Sequence, residues 1–221
     1  MKSMPRLAVG LQSHFHALGD GAVRFALDAV EAARSANGMS DTRPHLAHIQ
    51  VIHPDDLPRF APLGAVGNAQ PLWACEEPQM SELTVPFLGR ERKSWQYPFA
   101  SLLRSGARLA MGSDWAVSTP NPLWEIEVAV ERVWLESRGE LPPFLPSERL
   151  SLEEAIHGFT MGSAYVNHLD DVTGSITVGK LADLAVVDRD LFAPDAGPTG
   201  DATVLGTFVG GASVFEDPAL G

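Results

Sequence analysis

Two histidines one residue apart open the stretch His14-Phe15-His16-Ala17-Leu18-Gly19-Asp20. In a strand, residues two apart project from one face, so both imidazoles can share a surface. Imidazole nitrogen is a common zinc ligand, but two such nitrogens alone leave a site incomplete. Asp20 can cap a following helix or accept a hydrogen bond from His16 and so orient it. A second cluster, His45-Leu46-Ala47-His48-Ile49-Gln50, brings His48 towards a strand end. His45, three residues back, is expected on the opposite face, so the two cannot serve one site. Taken alone, His48 reads as a buried, hydrogen-bonded histidine. The third cluster is Met111-Gly112-Ser113-Asp114-Trp115, a carboxylate directly after an apolar run. Such a carboxylate either caps the next turn or, beside a metal ion, binds the ion and takes a proton.

The elements that position these groups follow from periodicity. Leu7 to His16, His45 to Val51, Ala65 to Leu72 and Ala107 to Gly112 read as short apolar strands. Between them, Gly21 to Asn37 shows helical spacing, Pro54-Asp55-Asp56 supplies a turn before a short helix to about Leu63, Tyr97 to Ser105 is helical, and Pro122 to Ser137 continues the alternation. Four strand–helix units in succession predict a parallel sheet with right-handed crossovers. His16, His48, Gln70 and Asp114 then fall at or near the C-terminal ends of successive strands. A further helix spans Ser151 to His168, opened by a capping box of Ser151 and Glu154. From about residue 172 the pattern turns to short strands, Leu184 to Asp188, Thr203 to Val209 and Ala212 to Phe215. Gly210-Gly211 between the last two is a hairpin signal.

Composition narrows the function classes. The chain has 221 residues, a net charge of −12 and one cysteine. Such acidity repels nucleic-acid phosphate and anionic lipid, so neither is an expected partner. Cys75 alone excludes an intrachain disulfide framework, and Glu76 and Glu77 beside it offer no activation as a nucleophile. No window approaches the roughly 18 apolar residues of a membrane span. The N-terminal Met1 to Leu7 lacks the apolar core of a signal peptide. A soluble, cytoplasmic protein is the expectation.

At the three clusters the chain resembles the metal-dependent amidohydrolase superfamily, in its YtcJ-like, amidohydrolase family 3 branch. The matching stretches are His16-Ala17-Leu18-Gly19-Asp20, Ala47-His48-Ile49-Gln50, Asn68-Ala69-Gln70-Pro71, Gly112-Ser113-Asp114-Trp115 and Gly174-Ser175-Ile176 through Gly179-Lys180-Leu181-Ala182-Asp183-Leu184. The resemblance implies an α/β fold, a partial (β/α)8 barrel (strands 5–8 with their helices) over residues 1–171. It implies part of a small β-sandwich over residues 172–221. His16, His48 and Asp114 are the implied metal ligands, and Asp114 is also the implied general base. Gln70 and Trp115 are implied to lie near a small amide-like substrate, whose C–N bond is hydrolysed. The implied cofactor is a divalent ion, zinc foremost among zinc, iron and manganese, with one or two ions per site in the family.

The paired histidines of barrel strand 1 have no counterpart, and neither does the bridging ligand near strands 3 or 4. The chain thus resembles the C-terminal half of such a hydrolase, a truncation. The alternative expectation is an inactive fragment or an assembly module. Half a barrel is expected to expose two sheet edges and its inner face. A homodimer that covers them is the expected partner arrangement. Among the tryptophans, Trp115 is the pocket candidate, whereas Trp124 and Trp134 are expected to pack within an amphipathic helix.

Overall fold

The computed structural model describes residues 10–220. Strands β1 (His14–Ala17), β2 (His45–His48), β3 (Val66–Ala69) and β4 (Arg108–Met111) form one parallel sheet in the order β1-β2-β3-β4. All four expected strands are present but shorter than the apolar runs that announced them. The Leu7 to Val9 portion of the first lies outside the described residues. Strand β2 stops because His48 (φ 74°) and Ile49 (φ 41°) turn into the left-handed region. Strand β3 stops before Pro71, which has no N–H for a ladder.

Helix α1 (Asp20–Asn37) buries Val23, Ala26, Leu27, Val30 and Ala33 along one stripe, the face its spacing predicts. Helices α2 (Phe60–Leu63), α3 (Val85–Lys93) and α4 (Phe99–Arg104) follow. Alternation sorts the sheet residues by face. Phe15, Ala17, Leu46, Ala69, Leu109 and Met111 pack with the helices into the main core. The opposite face carries His14, His16 and His45, together with Val66 and Ala110, which pack against Tyr165 and Val166.

Two long helices of the sequence reading are broken. Helix α5 (Pro122–Glu131) ends at Arg132, which adopts a left-handed φ of 57°. The Arg132 side chain is fully buried, with Nε donating to the Phe144 carbonyl at 3.0 Å and Nη1 to the Tyr97 carbonyl at 3.2 Å. Reaching those carbonyls requires the chain to leave the helix before Ser137. The second long helix opens with the expected capping box and divides into α6 (Leu152–His157) and α7 (Ser163–Val166), joined by a π turn over Gly158–Gly162.

That division covers the outer edge of β4. A side chain at Gly162 would stand 2.1 Å from the Leu109 carbonyl oxygen, so only glycine permits the approach. The Ser163 hydroxyl donates to the Met111 carbonyl at 2.6 Å, satisfying an edge acceptor that a further strand would otherwise take. One of the two sheet edges expected to lie open is therefore closed by the chain itself. Among the described residues nothing pairs with the outer edge of β1.

Strands β5 (Leu184–Val187), β6 (Val204–Val209) and β7 (Ala212–Glu216) form a separate antiparallel sheet. Gly210 and Gly211 both have positive φ, as the tight β6–β7 hairpin demands. Among the described residues, no helix is long and apolar enough to cross a membrane.

Candidate metal centre

The left-handed residue at the end of β2 decides the geometry. In regular extended backbone His48 would point with Leu46 into the helical layer. Its φ of 74° turns it instead towards β1, where its Nε2 lies 2.8 Å from His16 Nδ1. The expectation that His45 and His48 face opposite ways is thereby corrected. His45 Nε2 meets His14 Nδ1 at 2.5 Å, and the His14 and His16 rings are 5.2 Å apart. Four imidazoles thus share one face of β1 and β2.

Gln70 sets the tautomer of His48. Its side-chain oxygen accepts from His48 Nδ1 at 3.0 Å and from the His48 backbone N–H at 3.1 Å. Its Nε2 donates to Asn68 Oδ1 at 3.0 Å, which holds the amide in that orientation. An amide oxygen only accepts, so the His48 proton resides on Nδ1 and the Nε2 lone pair faces His16. This is the arrangement in which a metal-ligating histidine is held by an outer hydrogen bond. Gln70 is only 5% exposed, and its amide is spent on His48 and Asn68. Asp20 makes an ion pair with Arg92 at 3.3 Å, away from any role with His16.

Burial lowers the basicity of the outer pair. It brings His45 down to about 4, with the neighbouring His14 adding to the effect. His14 is lowered first by burial and then by His16 and His48, while Asp114 opposes. Neutral imidazoles keep the lone pairs that a cation needs.

Asp114 follows β4 in a left-handed conformation (φ 54°), exposed, with its carbonyl accepting from the Val117 N–H at 2.7 Å. Its charge is felt at His14, but its carboxylate does not join His16 and His48 in one cluster. Among the described residues no three His, Cys, Asp or Glu side chains are grouped to hold a metal ion. The structure brings the His16 and His48 rings into contact and does not group the Asp114 carboxylate with them. The pair nonetheless fits a divalent ion in donor chemistry: two ring nitrogens converge and one tautomer is fixed.

A cleft of about 910 Å³ opens at the same end of the sheet. Leu18, Gln50, Trp73 and Val117, each just beyond a strand, contribute to its wall, with Trp124 and Trp134 from the α5 region. Trp73 also lies against His48, at 5.6 Å between rings. The tryptophans of this wall are ones that helical spacing assigned to packing or left unassigned. Trp115 is 65% exposed and does not line the cleft. Cys75 is fully buried and its thiol is pushed up to about 12 by that burial, so it offers no nucleophile.

Residues 8–215 match the amidohydrolase family. The chain is 36% identical to protein LONG AFTER FAR-RED 3 of Arabidopsis thaliana, over 93% of this chain and 34% of that protein. It is 29% identical to the amidohydrolase YtcJ of Bacillus subtilis, over 94% of this chain and 38% of that protein. The N-substituted formamide deformylase of Arthrobacter pascens is also 29% identical, over 94% of this chain and 37% of that enzyme. Among solved structures, a metal-dependent hydrolase from Pyrococcus horikoshii superposes with a TM-score of 0.71 at 25% identity, covering 89% of this chain and 37% of that one. One from Pyrococcus furiosus gives 0.60 at 30% identity, covering 78% and 32%. The chain spans little more than a third of the length of the curated relatives it matches. With its imidazole pair at the strand ends and these likenesses along nearly its whole length, the chain belongs to the amidohydrolase family, in the family 3, YtcJ-like branch.

Proposed function

We propose that the chain carries the metal-binding and proton-transfer part of a hydrolase acting on C–N bonds of small amide-like substrates. In this reading the four-stranded sheet corresponds to strands 5–8 of a (β/α)8 barrel, and the three-stranded sheet is part of a β-sandwich. The observation that carries it is the His16–His48 pair, 2.8 Å apart, with its tautomer set by Gln70. These two residues hold a divalent ion, zinc foremost. When bound, such an ion polarises a carbonyl oxygen and acidifies water. Asp114 accepts a proton at its carboxylate and returns it to the departing nitrogen, the role of a general base that becomes a general acid. Trp73, Trp124 and Trp134 shield the substrate from bulk water in the cleft, and Trp115 flanks Asp114.

The experiment is elemental analysis of the purified chain together with turnover of N-substituted formamides. It is repeated on His16→Ala and Asp114→Asn. Metal and turnover in the parent, both lost in His16→Ala, with turnover alone lost in Asp114→Asn, support the reading. Full activity in Asp114→Asn removes that residue from its role.

One observation favours a second reading. Among the described residues no group of three or more His, Cys, Asp or Glu side chains is placed to hold a metal ion. A chain that retains metal without turnover is an inactive fragment or an assembly module. Activity that appears only on adding a separate N-terminal barrel half identifies the module.

A further inference from the structure

The cleft beside the imidazole pair is walled by aromatic faces and by acceptors, and its basic group is already neutralised. Trp73, Trp124 and Trp134 line it. Trp124 Nε1 donates to the Gly200 carbonyl at 3.1 Å, so the ring is held and its polar edge is spent. The charged side chains of the wall, among the described residues, are Glu77, Glu136, Asp201 and Arg138. Arg138 gives Nε and Nη2 to the Glu127 carboxylate, the latter at 2.8 Å, and Nη1 to Asp201 at 2.9 Å. One guanidinium thus answers two carboxylates and has no charge left for a ligand. Among the described residues neither Glu77 nor Glu136 is in an ion pair; Lys93 pairs instead with Glu76, at 3.8 Å. Gln50 adds an acceptor to the same wall. Its Nε2 donates to Oε1 of the fully buried Gln96 at 3.2 Å, and Gln96 Nε2 turns to the Lys93 carbonyl at 3.5 Å. The amide nitrogen of Gln50 is held in this way and its oxygen is not.

We propose that this cleft selects amides whose N-substituent ends in a primary ammonium group. The amide end of that substrate rests on the hydrolase reading above; the cationic end rests on the wall alone. A tryptophan face attracts a cation through its quadrupole, more strongly than the other aromatic side chains do. Carboxylates in a cleft with low-dielectric walls focus the field, drawing cations in and repelling anions. An ammonium also brings three N–H donors, which Gln50 and the carboxylates accept. A neutral alkyl tail gains only burial. Trp73 lies 5.6 Å from His48, ring to ring, so a substrate whose carbonyl meets the imidazole pair has its tail among the tryptophans.

Probes of similar length separate charge from shape: N-(4-aminobutyl)formamide, N-pentylformamide and 4-formamidobutanoate. Calorimetry and tryptophan fluorescence of the full chain read their binding, in the presence of a chelator so that neither metal nor turnover is needed. The cationic probe is expected to bind about tenfold more tightly than the neutral one, the effect of one largely desolvated cation–π contact, and the anionic probe most weakly. Glu77→Gln and Glu136→Gln keep the shape of the wall and remove its charge. Each is expected to lower the cationic-to-neutral ratio about threefold, and the double variant to bring it close to one. Circular dichroism checks that these variants are folded. Equal affinity for the cationic and neutral probes, binding of none of the probes, or a ratio unchanged in the double variant would overturn the proposal. Turnover is read separately, with divalent metal restored. Absent hydrolysis with the cation preference intact removes the hydrolase reading alone; hydrolysis of the neutral formamide with no cation preference removes this proposal alone.

Discussion

The side-chain oxygen of Gln70 accepts a hydrogen bond from His48 Nδ1 at 3.0 Å, and so fixes which nitrogen of His48 is free. The amide comes from just beyond β3 and the imidazole from the end of β2. Two adjacent strands therefore set the direction of one lone pair.

Gln70→Leu removes this acceptor at similar volume. Metal affinity is expected to fall by about 10–100-fold, the usual effect of losing such an outer partner. Competition with a chromophoric chelator measures it. Affinity equal to the parent would show that the tautomer needs no such support.

Glu125 in α5 is fully buried, and neither carboxylate oxygen has a hydrogen-bond partner. Burial pushes its carboxyl up to about 8, against a smaller downward pull from the Leu72 backbone. The folded state thus holds a proton that the unfolded chain releases near pH 4.5. Stability is full below that value, declines as pH rises towards about 8, and then levels off. Glu125→Gln is expected to flatten this decline and to be the more stable protein at pH 9. Urea unfolding at pH 5, 7 and 9 provides the comparison, and parallel pH profiles for the two proteins would contradict the assignment.

Gly162→Ala places a methyl group against the Leu109 carbonyl oxygen, a backbone atom that cannot swing away. A loss of about 3 kcal/mol is expected, at the upper end of overpacking costs. Ser163→Ala forfeits only the hydroxyl's bonds to the Met111 and Gly158 carbonyls, with an expected cost of about 1 kcal/mol. Denaturant midpoints order the two variants, and equal midpoints would refute the close-approach argument.

Self-association through the edge of β1, unpaired among the described residues, is expected, with a second copy of the chain as the partner. Sedimentation equilibrium across a hundredfold concentration range should show mass rising towards a dimer. Monomer mass at every concentration would rule out the dimer.

Much of the architecture was legible because it depends on local pattern. The stripe of α1, the Ser151–Glu154 capping box and the Gly210-Gly211 turn are each written within a few residues. Neighbouring parallel strands bring His16 and His48 close along the backbone, but their rings share a face only through the left-handed φ of His48. What escaped detection depends on partners distant in sequence. Nothing near His48 announces a left-handed φ, which overturns the parity argument for His45. Arg132 breaks its helix for carbonyls at Tyr97 and Phe144, and Trp124 becomes a cleft wall only when β3 and α5 are brought together. Asp114 takes a left-handed φ after β4, which no neighbouring residue type announces.

The Ser163–Met111 bond and the glycine beneath it give the parallel sheet a single growing end. A ribbon with two free margins can add copies indefinitely and become a fibre. With β4 covered, a two-fold contact through β1 uses the one margin of the parallel sheet that is unpaired among the described residues, so growth of that sheet terminates at a closed pair.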